Sequence, residues 1–170
     1  MSSVEQLIEK ARIAQQVYEN YDQGAVDEVV TAVAWALIEP GRNRELSQMA
    51  VETTGLGKIE DKILKNERKT LGLLRDLRCA KSVGVIFEDE ELGITEIARP
   101  VGVVAAVTPS TNPVATPTNN TLNALKGRNA IIIAPSPAGE KVCSRLLQYF
   151  HEELRRIGCL LYTSPSPRDT

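Results

Sequence analysis

The chain has 170 residues, with 20 Lys and Arg against 22 Asp and Glu and a formal charge of −2. That balance excludes a nucleic-acid binder, and a composition 42% hydrophobic and 25% charged is that of a soluble globular protein of about one domain. Three cysteines without a CxxC pair, beside a single histidine, exclude a disulfide framework and a His/Cys metal site, so reduced thiols and no metal are expected.

The opening MSSVEQLIEKARIAQ is polar and mixed in charge, lacking the basic and apolar regions of a secretory signal, which places the expected location in the cytoplasm. No apolar run approaches the roughly 20 residues that cross a bilayer, so no membrane span is expected. Residues 1–80 read as helical. Apolar side chains recur at helical spacing at Leu7, Ala11, Ala14 and Tyr18, and again at Ile59, Ile63, Leu73 and Leu77. Residues 26–38 are apolar nearly all round, the pattern of a helix buried on several sides. Pro40-Gly41 is expected to end that helix, and Gly55-Leu56-Gly57 to separate the third helix from the fourth.

Over residues 83–99 the period changes to two, with an acidic turn at Glu88-Asp89-Glu90-Glu91 that reads as a solvated hairpin tip. Residues 101–107 and 130–133 are continuous apolar runs bounded by Pro and Gly, the signature of buried parallel strands. A crossover helix over 114–126 and a second helix marked by Val142, Leu146, Phe150, Leu154 and Ile157 complete a βαβα unit over 101–158. Residues 159–170, CLLYTSPSPRDT, do not continue the pattern. Cys159 to Asp169 back-translate codon by codon onto a transposase sequencing adapter, so this stretch is expected to be library read-through rather than native protein.

Chemistry is expected at the carboxyl ends of the parallel strands, where open α/β sheets bind ligands. After the first strand come Thr108-Pro109-Ser110-Thr111-Asn112-Pro113, short hydrogen-bonding side chains held between two prolines ahead of a helix N-terminus that favours phosphate. The same residues also read as a plain turn with an Asn or Thr helix cap. Ala134-Pro135-Ser136-Pro137-Ala138-Gly139 forms the equivalent loop after the second strand. Neither GxGxxG nor a P-loop is present. His151 reads as a solvated surface residue, Cys143 as core filler and Cys79 as structural.

Three ordered blocks, GLGKIEDKILKN at 55–66, ARPVGVVAAVTPSTNP at 98–113 and LKGRNAIIIAPSP at 125–137, resemble the coenzyme A-acylating branch of the aldehyde dehydrogenase family. The resemblance covers residues 1–158 and is to the N-terminal part of such enzymes. Residues 39–77 look most like the branch acting on sulfoacetaldehyde. It implies an α/β fold in which N-terminal helices and a β-hairpin lead into a partial Rossmann-like parallel sheet that lacks the usual glycine fingerprint. It also implies an enzyme converting a small aldehyde and coenzyme A to an acyl-CoA with NAD or NADP.

Under the resemblance Val107, Thr108, Pro109, Ser110, Thr111 and Asn112 lie along the cofactor with Pro135, Ser136 and Pro137, and Asn112 or Thr111 contacts the reacting carbonyl. Hydrolytic relatives carry P-W-N-F-P here, and an ungapped alignment sets their oxyanion-stabilising Asn on Thr111. Those relatives place Lys and Glu about the adenosine ribose where this chain has Ala134 and Pro137, as suits a site that also serves coenzyme A. The family's nucleophilic cysteine belongs to a later domain, and none of Cys79, Cys143 and Cys159 takes its place, so residues 1–170 alone are expected to be inactive. The hairpin resembles the family's oligomerisation arm, implying a homo-oligomer. The alternative reading is a nucleotide- or partner-binding module without catalysis.

Overall fold

The computed structural model describes residues 3–159; the expected read-through segment, apart from Cys159, lies outside the described residues. Four helices come first: α1 (Ser3–Tyr18), α2 (Gln23–Ile38), α3 (Pro40–Thr54) and α4 (Ile59–Leu77). A hairpin of β1 (Gly84–Asp89) and β2 (Ile94–Ala98) follows, then β3 (Val103–Thr108), α5 (Ala115–Lys126), β4 (Ala130–Pro135), a 3-10 turn (Pro137–Gly139) and α6 (Glu140–Arg156). The chain is thus α/β, with N-terminal helices and a hairpin ahead of a small parallel sheet.

Helix α2 is the hub. Its apolar residues point in every direction because α4, α5 and α6 pack around it, and Val26, Val29, Val33, Ala34 and Leu37 are buried. Burying a Val or Leu of this kind contributes about 1.5–3 kcal/mol. The exception is Trp35, which is 47% exposed. Asp22 caps α2, its carboxylate accepting from the Ala25 N–H at 2.8 Å. In α6 the expected stripe of Val142, Leu146, Phe150 and Leu154 is buried against α2 and α3.

Pro40-Gly41 does not stop the chain for long. Only Glu39 lies between α2 and α3, and Pro40 is the first residue of α3. Proline suits that position because the first helical N–H has no intrahelical partner to lose. Glu39 then caps α3, accepting from the N–H groups of Gly41 at 3.1 Å and Arg42 at 2.8 Å. Gly55 ends α3 in the left-handed conformation, φ 67°.

Helix α4 departs from its apolar reading. Ile59, Ile63, Leu73 and Leu77 are only half-buried, whereas the fully buried positions of the same stripe are Asn66 and Thr70. Asn66 Nδ2 donates to Asn43 Oδ1 at 2.9 Å and to Ser47 Oγ at 3.2 Å, so α3 and α4 meet through a buried polar seam. Periodicity marked the face; the pairing of polar groups across it decided which residues lie deepest.

The strands form two separate two-stranded sheets. β1 and β2 are antiparallel with a bulge between Val85 and Phe87. Among the described residues the hairpin makes at most marginal contact with other elements. Its root is tied by Arg128, a non-glycine residue at φ 57°. That guanidinium donates to the carbonyls of Glu19 at 2.6 Å and Ala98 at 3.1 Å, joining α1 to the exit of β2. β3 and β4 are parallel and in register from Val103↔Ala130 to Thr108↔Pro135, so their carboxyl ends lie side by side.

Candidate functional site

The equal register of β3 and β4 places the two loops of interest on one edge. The Ser136 N–H donates to the Thr108 carbonyl at 3.0 Å and ties them together. The approach is close: a Cβ on Gly139 would meet Pro113 Cβ at 2.9 Å and Ser136 Oγ at 3.1 Å, so only glycine lets the start of α6 sit against the first loop. Thr108 and Pro113 are buried, Ser110, Asn112, Pro135 and Ser136 half-buried, and Pro109, Thr111 and Pro137 exposed. Val107 is 85% exposed and forms an uncovered apolar step at the strand end.

The turn is not a plain capped helix start. The N-cap of α5 is Val114, and no side chain caps it. Asn112 and Thr111 are therefore not consumed in capping: Asn112 Nδ2 donates to Thr111 Oγ1 at 3.5 Å, and its carboxamide oxygen is engaged from another element. That element is α4. Lys65 Nζ donates to Asn112 Oδ1 at 2.6 Å, and Lys62 Nζ donates to the Thr111 carbonyl at 3.4 Å. Burial, and then the neighbouring Lys65 ammonium, hold the pKa of Lys62 below that of an ordinary lysine. These lysines are the residues that sequence reasoning missed. Their signal was present in the block GLGKIEDKILKN, where a spacing of three puts both on one helical face.

The residue set is suited to a phosphate-bearing dinucleotide and a small carbonyl compound. The buried hydroxyls of Thr108 and Ser136, at the ends of the two strands, have no hydrogen-bond partner. Residues 107–113 and 134–139 contain no carboxylate to repel an anion. Among the described residues no group of three or more His, Cys, Asp or Glu is placed to hold a metal.

The three cysteines are not placed to serve this edge. Cys143 is buried, and burial pushes its thiol up to about 12, which keeps it protonated and inert. Cys79 is exposed rather than structural, because it lies past the last turn of α4 where nothing covers it. At 1.5 Å per helical residue Leu77, the last residue of α4, already lies about 22 Å along the axis from Lys62, and Cys79 follows it. Cys159 is buried, with the Tyr21 hydroxyl donating to its Sγ at 3.8 Å. His151 is half-buried rather than solvated, since α6 turns that side toward its neighbours; burial, then Arg155, lower its pKa.

A groove of about 830 Å³ lies elsewhere, between α2, α4 and α6, and is lined by Trp35, Leu74, Leu77 and Ile157. Its lining is mixed in charge: the Lys126 ammonium is 2.5 Å from Asp27, and Glu28, Glu153 and Arg78 also line it. The strand ends are the better candidate on chemistry.

The model of the aldehyde dehydrogenase family matches residues 1–155. The chain is 54% identical over 168 residues to an acylating sulfoacetaldehyde dehydrogenase of Cupriavidus necator, covering 97% of this chain and 34% of that protein. The crystal structure of an acetylating aldehyde dehydrogenase from Geobacillus thermoglucosidasius superposes with a TM-score of 0.88 at 38% identity, covering 96% of this chain and 37% of that one. A propionaldehyde dehydrogenase from Rhodopseudomonas palustris, with bound coenzyme A and an acylated cysteine, gives a TM-score of 0.76 at 25% identity over 93% of this chain and 36% of that one. The chain thus spans about a third of the length of these relatives. Among the described residues no helix is long and apolar enough to cross a membrane.

Proposed function

The chain belongs to the aldehyde dehydrogenase family, and we propose that residues 1–158 supply the N-terminal part of the cofactor-binding domain of an acylating enzyme. It converts an aldehyde, sulfoacetaldehyde foremost, and coenzyme A to an acyl-CoA while NAD or NADP is reduced. The observation that carries this reading is the 54% identity across 97% of the chain to the acylating enzyme of Cupriavidus necator. When bound, the nicotinamide takes up a hydride and the coenzyme A thiol takes the acyl group.

This chain's own share is binding and orientation. Val107, Thr108, Pro109, Ser110, Thr111 and Asn112, with Pro135, Ser136 and Pro137, form the edge against which the dinucleotide lies. Lys65 holds the Asn112 carboxamide by its oxygen and one Nδ2 N–H is directed to the Thr111 hydroxyl, which leaves the second amide N–H as a donor toward the reacting carbonyl. A preoriented donor of this kind stabilises negative charge as it develops on the carbonyl oxygen, by about 3–4 kcal/mol. The thiol nucleophile comes from outside residues 3–159, because Cys143 and Cys159 are buried and Cys79 follows the end of α4 that is far from Lys62 and the loop.

The enzyme acts in the cytoplasm on this reading. It is a homo-oligomer joined through the hairpin, whose Val85, Phe87, Ile94 and Ile97 are about half exposed and offer an apolar surface.

The test is made on the protein expressed from the complete reading frame that contains this chain. With sulfoacetaldehyde, coenzyme A and NAD or NADP, nicotinamide reduction matched by equal thioester formation is expected. Asn112→Ala lowers kcat by about 10²–10³-fold. Oxidation to the free acid without any need for coenzyme A overturns the reading.

A further inference from the structure

Helix α4 is anchored on its buried side by the polar seam. Asn43 Nδ2 donates to the Ile63 carbonyl at 3.2 Å, and Asn66 Nδ2 donates to Asn43 Oδ1 at 2.9 Å, so the turn between Lys62 and Lys65 is fixed to α3. From that turn Lys65 Nζ reaches Asn112 Oδ1 at 2.6 Å, while Lys62 Nζ donates to the neighbouring Thr111 carbonyl at 3.4 Å. The stem of Lys62 lies over the glycine linker ahead of α4, where a Cβ on Gly57 would stand 3.5 Å from Lys62 Cε. Asp61 is exposed and precedes Lys65 by four residues, the spacing at which an acid and a lysine pair along a helix. Lys65 makes no ion pair with it. Among the described residues it bonds instead to a neutral carboxamide 47 positions away.

An ammonium carries donors only, so a carboxamide that faces it must present its oxygen. The Asn112 nitrogen is thereby turned away from Lys65, with one N–H directed to Thr111 Oγ1 at 3.5 Å and the other left for a further acceptor. Thr111 is engaged differently: its carbonyl accepts from Lys62 and its hydroxyl from Asn112. We propose that Lys65 is a positioning residue for the reaction, fixing which end of the Asn112 carboxamide faces the reacting carbonyl and so making Asn112, rather than Thr111, the donor to it. The inference rests on the acylating dehydrogenase reading and deepens it by naming what orients that donor. A carboxamide free to turn presents its oxygen as readily as its nitrogen, and the oxygen repels the charge that develops on the carbonyl; holding the oxygen elsewhere removes that orientation. Lys65 itself touches no substrate. Its role is indifferent to substrate charge and serves a neutral aldehyde as well as an anionic one.

The test uses the protein expressed from the complete reading frame, assayed with propionaldehyde as well as sulfoacetaldehyde. Lys65→Met is expected to lower kcat about 10–10²-fold with both aldehydes, with the KM values for aldehyde, coenzyme A and NAD(P) changed by less than about twofold. Lys65→Arg, which keeps a cationic donor, recovers most of the rate. Lys65 is exposed, so the melting midpoint is expected to stay where it is in both variants. The deciding measurement is a double-mutant cycle: in an Asn112→Ala background Lys65→Met has no further effect on kcat, because the group it orients is already gone. Losses that multiply in the double variant overturn the proposal. So does an unchanged kcat, a loss confined to the KM of one ligand, or one seen with sulfoacetaldehyde alone. If the unmodified protein oxidises neither aldehyde, the functional reading fails, and crystal structures of the unmodified and Lys65→Met proteins decide the positioning by themselves. An Asn112 side chain displaced in the variant upholds it, and one that stays in place removes it.

Discussion

Helices α2 and α6, and the hairpin with the flanks of β3, treat the same residue types in opposite ways. In the helices Val26, Val29, Val33, Leu37, Leu146 and Phe150 are each no more than 2% exposed. In the hairpin and the flanks of β3, Val85, Phe87, Leu92, Ile94, Ile97, Val101 and Val107 are 46–85% exposed. The difference lies in the partners within reach. α2 meets helices on several sides, whereas the hairpin makes at most marginal contact with other elements and β3–β4, although α1 and α5 pack against it, has two unpaired edges among the described residues; two-stranded ribbons seldom stand alone in water. The candidate site lies where the two halves meet: strand ends supply the loops, helix α4 supplies the lysines, and the 3-10 turn ahead of α6 supplies the glycine contact.

The contrast can be broken most severely from the helical side. Leu146→Ala empties a fully buried position between α2 and α6 and is expected to cost about 2–5 kcal/mol, read as a lower denaturation midpoint of the complete protein. A loss below about 1 kcal/mol means that this core is not the one that holds the fold. At the boundary, Gly139→Ala drives a Cβ into Pro113 and is expected to cost about 1–3 kcal/mol, together with a weaker affinity for NAD(P) as the two loops separate. Stability lost without any change in cofactor affinity separates the packing role from the site.

The polar seam gives a comparable effect by another route. Asn66→Ala strips Asn43 and Ser47 of a shared partner in a dry interface, for about 1–3 kcal/mol, and a smaller loss shows that water reaches the seam. In the strand half, Phe87→Ser is expected to change stability by less than about 0.5 kcal/mol while lowering the oligomeric mass seen by light scattering. An unchanged mass removes the hairpin from the assembly.

The smallest effect is one of pH. Hydrogen bonds from the Arg145 guanidinium and then the Tyr149 hydroxyl hold the Glu45 carboxyl below the usual carboxylate range. A lowered folded-state value stabilises the protein above the unfolded carboxylate pKa of about 4.3 and loses that contribution as pH falls through the folded value. Because Glu45 is 42% exposed, the amount is a few tenths of a kcal/mol. Glu45→Gln flattens the acid limb of the stability profile to that extent, and an unaltered limb places the acid sensitivity elsewhere.

Much of the architecture was written in local pattern. Residues 26–38 form a helix buried on several sides because their apolar side chains point all round; Gly55 closes α3 because only glycine takes that conformation cheaply; and 101–107 with 130–133 hold the parallel strands β3 and β4, although Val101 and Val107 of the first run are exposed rather than buried, since no neighbouring element among the described residues covers them. The loops at the strand ends followed from the strand-helix-strand order, and so did Thr111 and Asn112 as candidates. Tertiary structure alone decided that Asn66 and Thr70 lie deeper than Ile63, that Pro40 starts a helix after a single linking residue, and that Lys62 and Lys65 meet a turn 49 and 47 positions away. Periodicity records which face of an element is apolar. It carries nothing about which other element arrives against that face, and hydrogen bonds made across such separations exist only once the helices have packed.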